Sequence, residues 1–254
     1  MLLTLSDGHR VVAKQCPQGN AAVEGWMLEY LRRHTRFPVP DVLYRDDTLL
    51  LMSYLQNDGS ALGDCGQRCA AELIAELHGI TAPRYGLECD TVIGGLAQPN
   101  RQSPSWLEFF GDRRLLFMGR RARESGKLDE AAFGALETLV SHLDRWLQEP
   151  GPPGLIHGDI WAGNIVVCNG GVSGFVDPAI SYADPEIELA FSTLFATFGP
   201  PFFRRYQELR PIRPGFFEER RDLYKLYPLL VHTVLFGATY AASVKRTLRR
   251  FGYL

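Results

Sequence analysis

The chain has 254 residues, of which 46% are apolar and 22% charged, with a formal net charge of −2 and a pI near 6.3. That length suffices for one large domain or two small lobes around a cleft, and the charge balance gives no general attraction to nucleic acid or anionic membranes. Five cysteines (Cys16, Cys65, Cys69, Cys89, Cys168) form an odd set without a disulfide framework, and neither a leader nor a glycosylation sequon is present, so the expected compartment is the reducing cytoplasm.

Along the chain, Leu2–Leu5 and Arg10–Lys14 read as short strands joined by the turn sequence Ser6-Asp7-Gly8-His9. After Pro17 and Gly19, Val23, Trp26, Met27, Tyr30 and Leu31 recur at helical spacing over Ala21–Arg33, and Phe37-Pro38-Val39-Pro40 stops that helix. Two more strands are expected at Val42–Tyr44 and Leu49–Met52. The pattern then turns helical, with Ala70–His78 ended by Gly79, a loop-rich stretch Pro83–Ser105, and two long helices at Trp106–Glu124 and Asp129–Glu149. Gly151-Pro152-Pro153-Gly154 breaks the second. Three glycine-punctuated strand pieces follow at Leu155–Ile156, Ile165–Val167 and Gly174–Val176. The remainder, from Ile187, reads as helix interrupted near Gly199-Pro200-Pro201 and Arg213-Pro214-Gly215. A β-rich N-terminal lobe (residues 1–57) and a larger helical lobe (58–254) are expected, an α+β arrangement.

Three features carry less. Cys65 and Cys69 share a helix face, but no second pair stands at a zinc spacing. The arginine groups 113–114, 120–123 and 249–250 read mostly as solvated helix faces. Tyr227–Val244, apolar but holding Pro228 and His232 between Lys225 and Lys245, reads as a buried helix rather than a membrane span.

The informative stretch is His157-Gly158-Asp159-Ile160-Trp161-Ala162-Gly163-Asn164, with Asp177 thirteen residues on. Phosphoryl transfer asks a protein for placement and charge neutralisation more than covalent chemistry. Asp159 can orient an attacking hydroxyl and take its proton, while the Asn164 amide oxygen and the Asp177 carboxylate are hard ligands suited to Mg²⁺. The Asp-to-Asn spacing equals that of the protein-kinase catalytic loop, with Gly158 in place of arginine. A hairpin over Ile165–Val176 would return Asp177 to the side of Asn164. Taken singly, Asp159 as a turn cap, Asn164 as a loop residue and Asp177 as a helix cap are open readings. Order, spacing and glycine punctuation together favour the catalytic one.

This loop resembles that of aminoglycoside phosphotransferases, choline kinases and, through Trp161, the fructosamine (ketosamine) kinase family. Gln98-Pro99-Asn100, Trp106-Leu107-Glu108-Phe109-Phe110 running into Arg113-Arg114-Leu115, Asp177-Pro178-Ala179 with Tyr182 and Glu186, and Arg246-Thr247-Leu248-Arg249-Arg250-Phe251 are similar as well. The resemblance implies a protein-kinase-like two-lobe fold and ATP- and Mg²⁺-dependent phosphorylation of a ketosamine sugar at its 3-hydroxyl, after which the amine is released. The acceptor would be a small-molecule ketosamine or glycated lysine, with no nucleic-acid or membrane partner. Asp159 would be the base, and Asn164 and Asp177 the metal ligands. Lys14, ending the strand Val11-Val12-Ala13-Lys14, would hold the α and β phosphates, with Glu24 as its ion-pair partner and Glu29 as the competitor. The backbone of Leu50–Leu55, with Met52 and Tyr54, would meet adenine, and Trp161, Tyr182 and Glu186 would face substrate. Glu188, where relatives carry aspartate, would serve structure. Only thirteen residues precede Lys14, and Ser6-Asp7-Gly8-His9 aligns with the hairpin after the family's glycine-rich turn. The N-lobe is therefore expected to be truncated, through a mis-set start or a loss of that turn. Alternative functions are an aminoglycoside- or amino-alcohol-type phosphotransferase and a catalytically weak nucleotide-binding module.

Overall fold

The structure, a computed structural model, describes residues 1–16 and 19–254; Pro17, expected to punctuate the start of the first helix, lies outside the described residues. Strands β1 (Leu2–Thr4) and β2 (Arg10–Gln15) form the expected hairpin. Leu5 N–H donates to His9 O, and Gly8 takes φ +86°, a conformation that side chains disfavour. Helix α1 (Ala21–His34) buries Ala21, Met27, Leu28 and Leu31 as one stripe. It ends where Thr35 turns extended and its Oγ1 donates to Leu31 O at 2.7 Å. Strands β3 (Val42–Arg45) and β4 (Leu49–Ser53) complete an antiparallel sheet of order β1-β2-β4-β3, with Lys14 opposite Leu50 and Val12 opposite Met52. The face that carries Lys14 and Leu50 packs on α1, and residues of both faces line a cavity of about 900 Å³.

Residues 54–63 lead without regular structure into α2 (Asp64–His78), which starts six residues before the expected helix and ends at Gly79. The stretch expected to be loop holds a hairpin, β5 (Thr91–Ile93) and β6 (Leu96–Gln98), turned by Gly94 (φ +55°) and Gly95 (φ +81°). Two consecutive left-handed residues are what a two-residue hairpin turn requires. Trp106–Glu124 is helical throughout, as α3 (Trp106–Glu108), a π-type segment (Phe109–Leu116) and α4 (Phe117–Glu124).

The helix expected over Asp129–Glu149 is shorter. α5 (Glu130–Ser141) ends at His142, and a single 3₁₀ turn (Leu143–Arg145) follows. Glu149 folds back instead, accepting from Trp106 N–H at 2.8 Å and Leu107 N–H at 3.3 Å, donors that the start of α3 leaves unpaired. Next come β7 (Gly154–Ile156), β8 (Ile165–Cys168), β9 (Gly171–Phe175) and β10 (Ser181–Ala183); β8 pairs with β9, and β7 with β10.

The C-terminal helices are α6 (Glu186–Ser192), α7 (Pro200–Leu209), a π-type turn (Phe216–Arg220), α8 (Arg221–Tyr224), α9 (Leu226–Phe236) and α10 (Ala238–Arg250). The single buried helix expected over Tyr227–Val244 is divided by Gly237, whose φ of +88° and ψ of −139° reverse the chain so that α10 packs on α9. Among the described residues no helix is long and apolar enough to cross a membrane.

The core is continuous from the sheet-rich part into the helices. Phe175, fully buried on β9, stacks on Phe37 at 4.3 Å between centroids and joins the two parts beside His157. Phe175→Ala should therefore lower unfolding free energy by about 3–5 kcal/mol in urea denaturation. A loss under about 1 kcal/mol would show that this junction carries little of the stability.

Candidate active site

Alternation along β2 turns Val12 and Lys14 to the face that carries α1 and Val11 and Ala13 to the opposite face, and Val12, Ala13 and Lys14 all line the larger cavity. Lys14 Nζ meets a Glu24 carboxylate oxygen at 2.8 Å and Asp177 Oδ1 at 2.8 Å. Glu24 is buried on the first turn of α1, whereas Glu29, one and a half turns on, pairs with Arg45 at 3.2 Å. Helical phase thus gives Lys14 its partner. Burial draws the Lys14 ammonium down, but the charges of Asp177 and Glu24 outweigh it and hold the group above its ordinary pKa.

The expected loop leaves β7 at His157. That ring is fully buried between Phe37 and Phe175, and burial lowers its pKa, so it stays neutral. Its Nδ1 accepts the Asp159 N–H at 3.3 Å. Gly158 takes φ +88°, and a Cβ there would lie 2.1 Å from Ala179 O. A side chain at this position would push away the segment that follows Asp177, which accounts for glycine where protein kinases carry arginine. Asn164 Nδ2 donates to the Asp159 carbonyl and to its Oδ2, both at 2.9 Å, leaving the amide oxygen for other use. Val176 N–H donates to Asn164 O at 3.0 Å, closing the β8–β9 hairpin so that Asp177 returns beside Asn164. Asp177 itself takes φ +55°, uncommon for a residue with a side chain. Burial, against the opposing hydrogen bond from Asn164, pushes the Asp159 carboxyl up to about 7.

A buried carboxylate carries this loop from behind. Glu188 on α6 accepts from Gly158 N–H at 2.5 Å, from His157 N–H at 3.3 Å and from His78 Nε2 at 2.8 Å. His78 Nδ1 in turn meets Tyr206 OH at 2.7 Å. Burial opposes its charge, but the His78 contacts prevail and hold Glu188 below the usual carboxylate pKa.

Lys14 and Asp177 stand where two cavities meet. The larger, of about 900 Å³, is lined by Val12, Leu51, Met52, Tyr54, Val166 and Val176, and has the apolar walls and dimensions for a flat heterocycle. The second, of about 300 Å³, holds Asp159 and is walled by Cys16, Asn20, Val92, Gly94, Gly95 and Pro178. Sequence reading missed this wall. Its available signal was Gly94-Gly95 between two short apolar runs; Asn20 Nδ2 fastens that tip by donating to Gly95 O at 2.9 Å.

The remaining expected residues separate. Trp161 is 40% exposed beside Asp159. Tyr182, on β10, meets Tyr30 OH at 3.2 Å and lines neither cavity. Glu186 must be corrected: it is buried, and both its oxygens are taken by Arg213 (3.0 and 3.1 Å) and Arg220 (2.7 and 3.0 Å), so it tethers the 213–220 segment instead of facing substrate.

A model of the family described as fructosamine kinase matches residues 18–252. A protein of Enterococcus faecium named "probable ketoamine kinase" is 34% identical over 84% of this chain and 76% of its own length. The chloroplastic protein-ribulosamine 3-kinase of Arabidopsis thaliana is 36% identical over 89% of this chain and 70% of its own. Among solved structures, one assigned as a fructosamine-3-kinase from Thermobifida fusca superposes with a TM-score of 0.85 at 31% identity, covering 98% of this chain and 87% of that one. An aminoglycoside phosphotransferase in a ternary complex with ADP and hygromycin B has a TM-score of 0.67 at 15% identity, covering 99% and 94% of the two chains. At that identity it shows the fold alone, which is protein-kinase-like.

The unfolded chain ionises an aspartate near pH 4, whereas folded Asp159 keeps its proton to about 7. Its raised pKa therefore costs stability above pH 7 and progressively less as the pH falls towards 4. Asp159→Asn should raise Tm by a few degrees at pH 8, with a gain that shrinks by pH 5, as read by calorimetry. A lower Tm at pH 8 would contradict the buried-charge account.

Proposed function

Because this chain belongs to the fructosamine kinase family, we propose that it transfers the γ-phosphoryl group of ATP to a ketosamine, at the 3-hydroxyl of the sugar, with Mg²⁺ as its metal. The observation that carries this reading is the Lys14–Asp177 contact at the seam of two cavities, with Asp159 in the second. ATP would lie in the larger cavity, its adenine against the strand end holding Met52 and Tyr54 and its α and β phosphates on the Lys14 ammonium, which Glu24 steadies. The acceptor hydroxyl would meet Asp159. As the carboxylate takes the hydroxyl proton, the sugar oxygen bonds the γ-phosphorus, the bond to the bridging oxygen breaks, and ADP leaves.

The donor set fits Mg²⁺. The Asn164 nitrogen is spent on Asp159, so its oxygen and the Asp177 carboxylate would hold the ion, the rest of its shell being phosphate and water. When bound, the metal would neutralise phosphate charge. Trp161 would lie against the sugar. Residues 1–57 would act as the nucleotide lobe and 58–254 as the acceptor lobe, in a cytoplasmic protein needing neither nucleic acid nor membrane. A free ketosamine or a glycated lysine would serve as acceptor.

ADP release should be measured with Mg-ATP and, separately, ribulose-lysine, fructose-lysine and an aminoglycoside. At least one ketosamine should be turned over, with kcat/KM rising as the pH passes upward through about 7, since the base acts as carboxylate. Asp159→Asn should reduce kcat by about 10²–10⁴. Turnover of the aminoglycoside and of neither ketosamine would overturn the substrate assignment.

A further inference from the structure

Trp161, two residues after Asp159 and lining neither cavity, is the first ring of a row. Phe195, on the loop after α6, lies 5.9 Å from Trp161 between centroids; His232 on α9 lies 5.2 Å from Phe195; Phe236 lies 5.5 Å from His232. Tyr240 on α10 backs the outer end, 4.8 Å from His232. Trp161 and Phe236, the two ends of the row, are exposed (40% and 67%), and Phe195 and His232 between them are half-buried.

Two backbone features present these rings. Ala196, directly after Phe195, takes φ +51°; besides Asp177, only Asn169, in the β8–β9 turn, is a non-glycine residue in this region among the described residues. Such conformations persist where the surroundings impose them, and they cluster at functional sites. Gly237 ends α9 so that Phe236 stands at a helix corner instead of inside a packed helix pair. A second path ties the same helix end to the reaction centre: Leu235 Cδ1 would lie 2.9 Å from a Cβ on Gly94, and Gly94 walls the cavity that holds Asp159. The end of α9 therefore packs against the hairpin tip that walls the cavity holding Asp159.

The row bears no formal charge. His232 Nδ1 lies 2.7 Å from Pro228 O, and burial lowers the ring's pKa, so the imidazole is neutral at neutral pH. An acceptor whose sugar hydroxyl meets Asp159 must send its amine substituent out of the cavity, and this row offers it aromatic faces, while the Lys127 ammonium at the same helix end is engaged by Val234 O. We propose that Phe195, His232 and Phe236 form the subsite for the amine portion of the acceptor, and that this portion carries an aromatic or other flat apolar group. The proposal rests on the ketosamine reading and specifies its substrate class. Ring-on-ring packing favours offset or tilted contacts at these separations, and a hydrophobic contact of this size discriminates substrates by about tenfold.

The test compares two acceptors, the fructose ketosamines of benzylamine and of ethanolamine, in the full chain with Mg-ATP. The wild type should show about tenfold higher kcat/KM for the benzyl compound, carried by KM. Phe236→Ala should bring the two within about twofold, with the KM for ATP and the Tm confirming an intact fold. Equal kcat/KM for the two acceptors in the wild type, or a preference retained in Phe236→Ala, would overturn the subsite while leaving the kinase reading in place. The same comparison is made with the ribulose ketosamines of the two amines, and turnover of none of the four would remove both readings. A wild-type dimer that Phe236→Ala dissolves, with the acceptor preference unchanged, would reassign the rings to self-association.

Discussion

Lys14 and Asp177 are 163 residues apart in sequence and 2.8 Å apart in space, and the proposed chemistry depends on that contact. Lys14 belongs to the sheet, fixed by its register opposite Leu50, while Asp177 ends a hairpin of the helical part. An ammonium half removed from water needs its carboxylates, and a carboxylate beside a buried aspartate needs a cation. Each part of the molecule therefore completes the charge balance of the other. Breaking the pair by removing one partner leaves the other uncompensated, which makes the relative position of the two parts an electrostatic requirement as well as a matter of packing.

A second constraint holds Asp159 within that frame. The loop has no regular hydrogen bonding of its own, so its amides must be satisfied from outside. Glu188 does this for His157 and Gly158, and His78 and Tyr206 satisfy Glu188 in turn, so a chain of buried polar groups runs from α7 through α2 and α6 to the backbone just before Asp159. A glutamate in place of aspartate still reaches both amides. The absence of a side chain on Gly158 allows the loop and the segment at Ala179 to touch. Asp159 is held on one side by this suspended backbone and on the other by the Asn164 amide.

Much of this was legible in the sequence because its signals are local. The Ser6–His9 turn, the stripe on α1, and the spacing from His157 to Asn164 each fit within one or two turns of chain, and helical phase alone separated Glu24 from Glu29. Features set by distant partners were not legible. Glu186 reads as a free carboxylate until Arg213 and Arg220 arrive from 27 and 34 residues away. The β5–β6 strands have three residues each, too few to show alternation, so Gly94-Gly95 passed for loop. Gly237 is a single residue in an apolar run whose hydrophobicity continues past it, and composition does not record a change of direction. The ring row escaped for the same reason, since its members come from three separate segments.

The energetic costs of the fold concentrate around the reaction centre. Asp159 is a carboxyl held against its preference, and Asp177 and Ala196 occupy backbone conformations that cost side-chain-bearing residues on the order of 1 kcal/mol each. None of these improves packing; an asparagine, a glycine and a glycine would relieve them. Their cost is offset by the buried aromatic and aliphatic core that runs beneath both cavities, of which Phe175, Trp106 and Tyr224 are fully enclosed members. In Asp159 and Asp177 the cost sits at groups that would touch the reacting atoms in the proposed reaction. Ala196 touches none of them, so its strain requires a purpose at the position it presents, which is the ring of Phe195 facing Trp161.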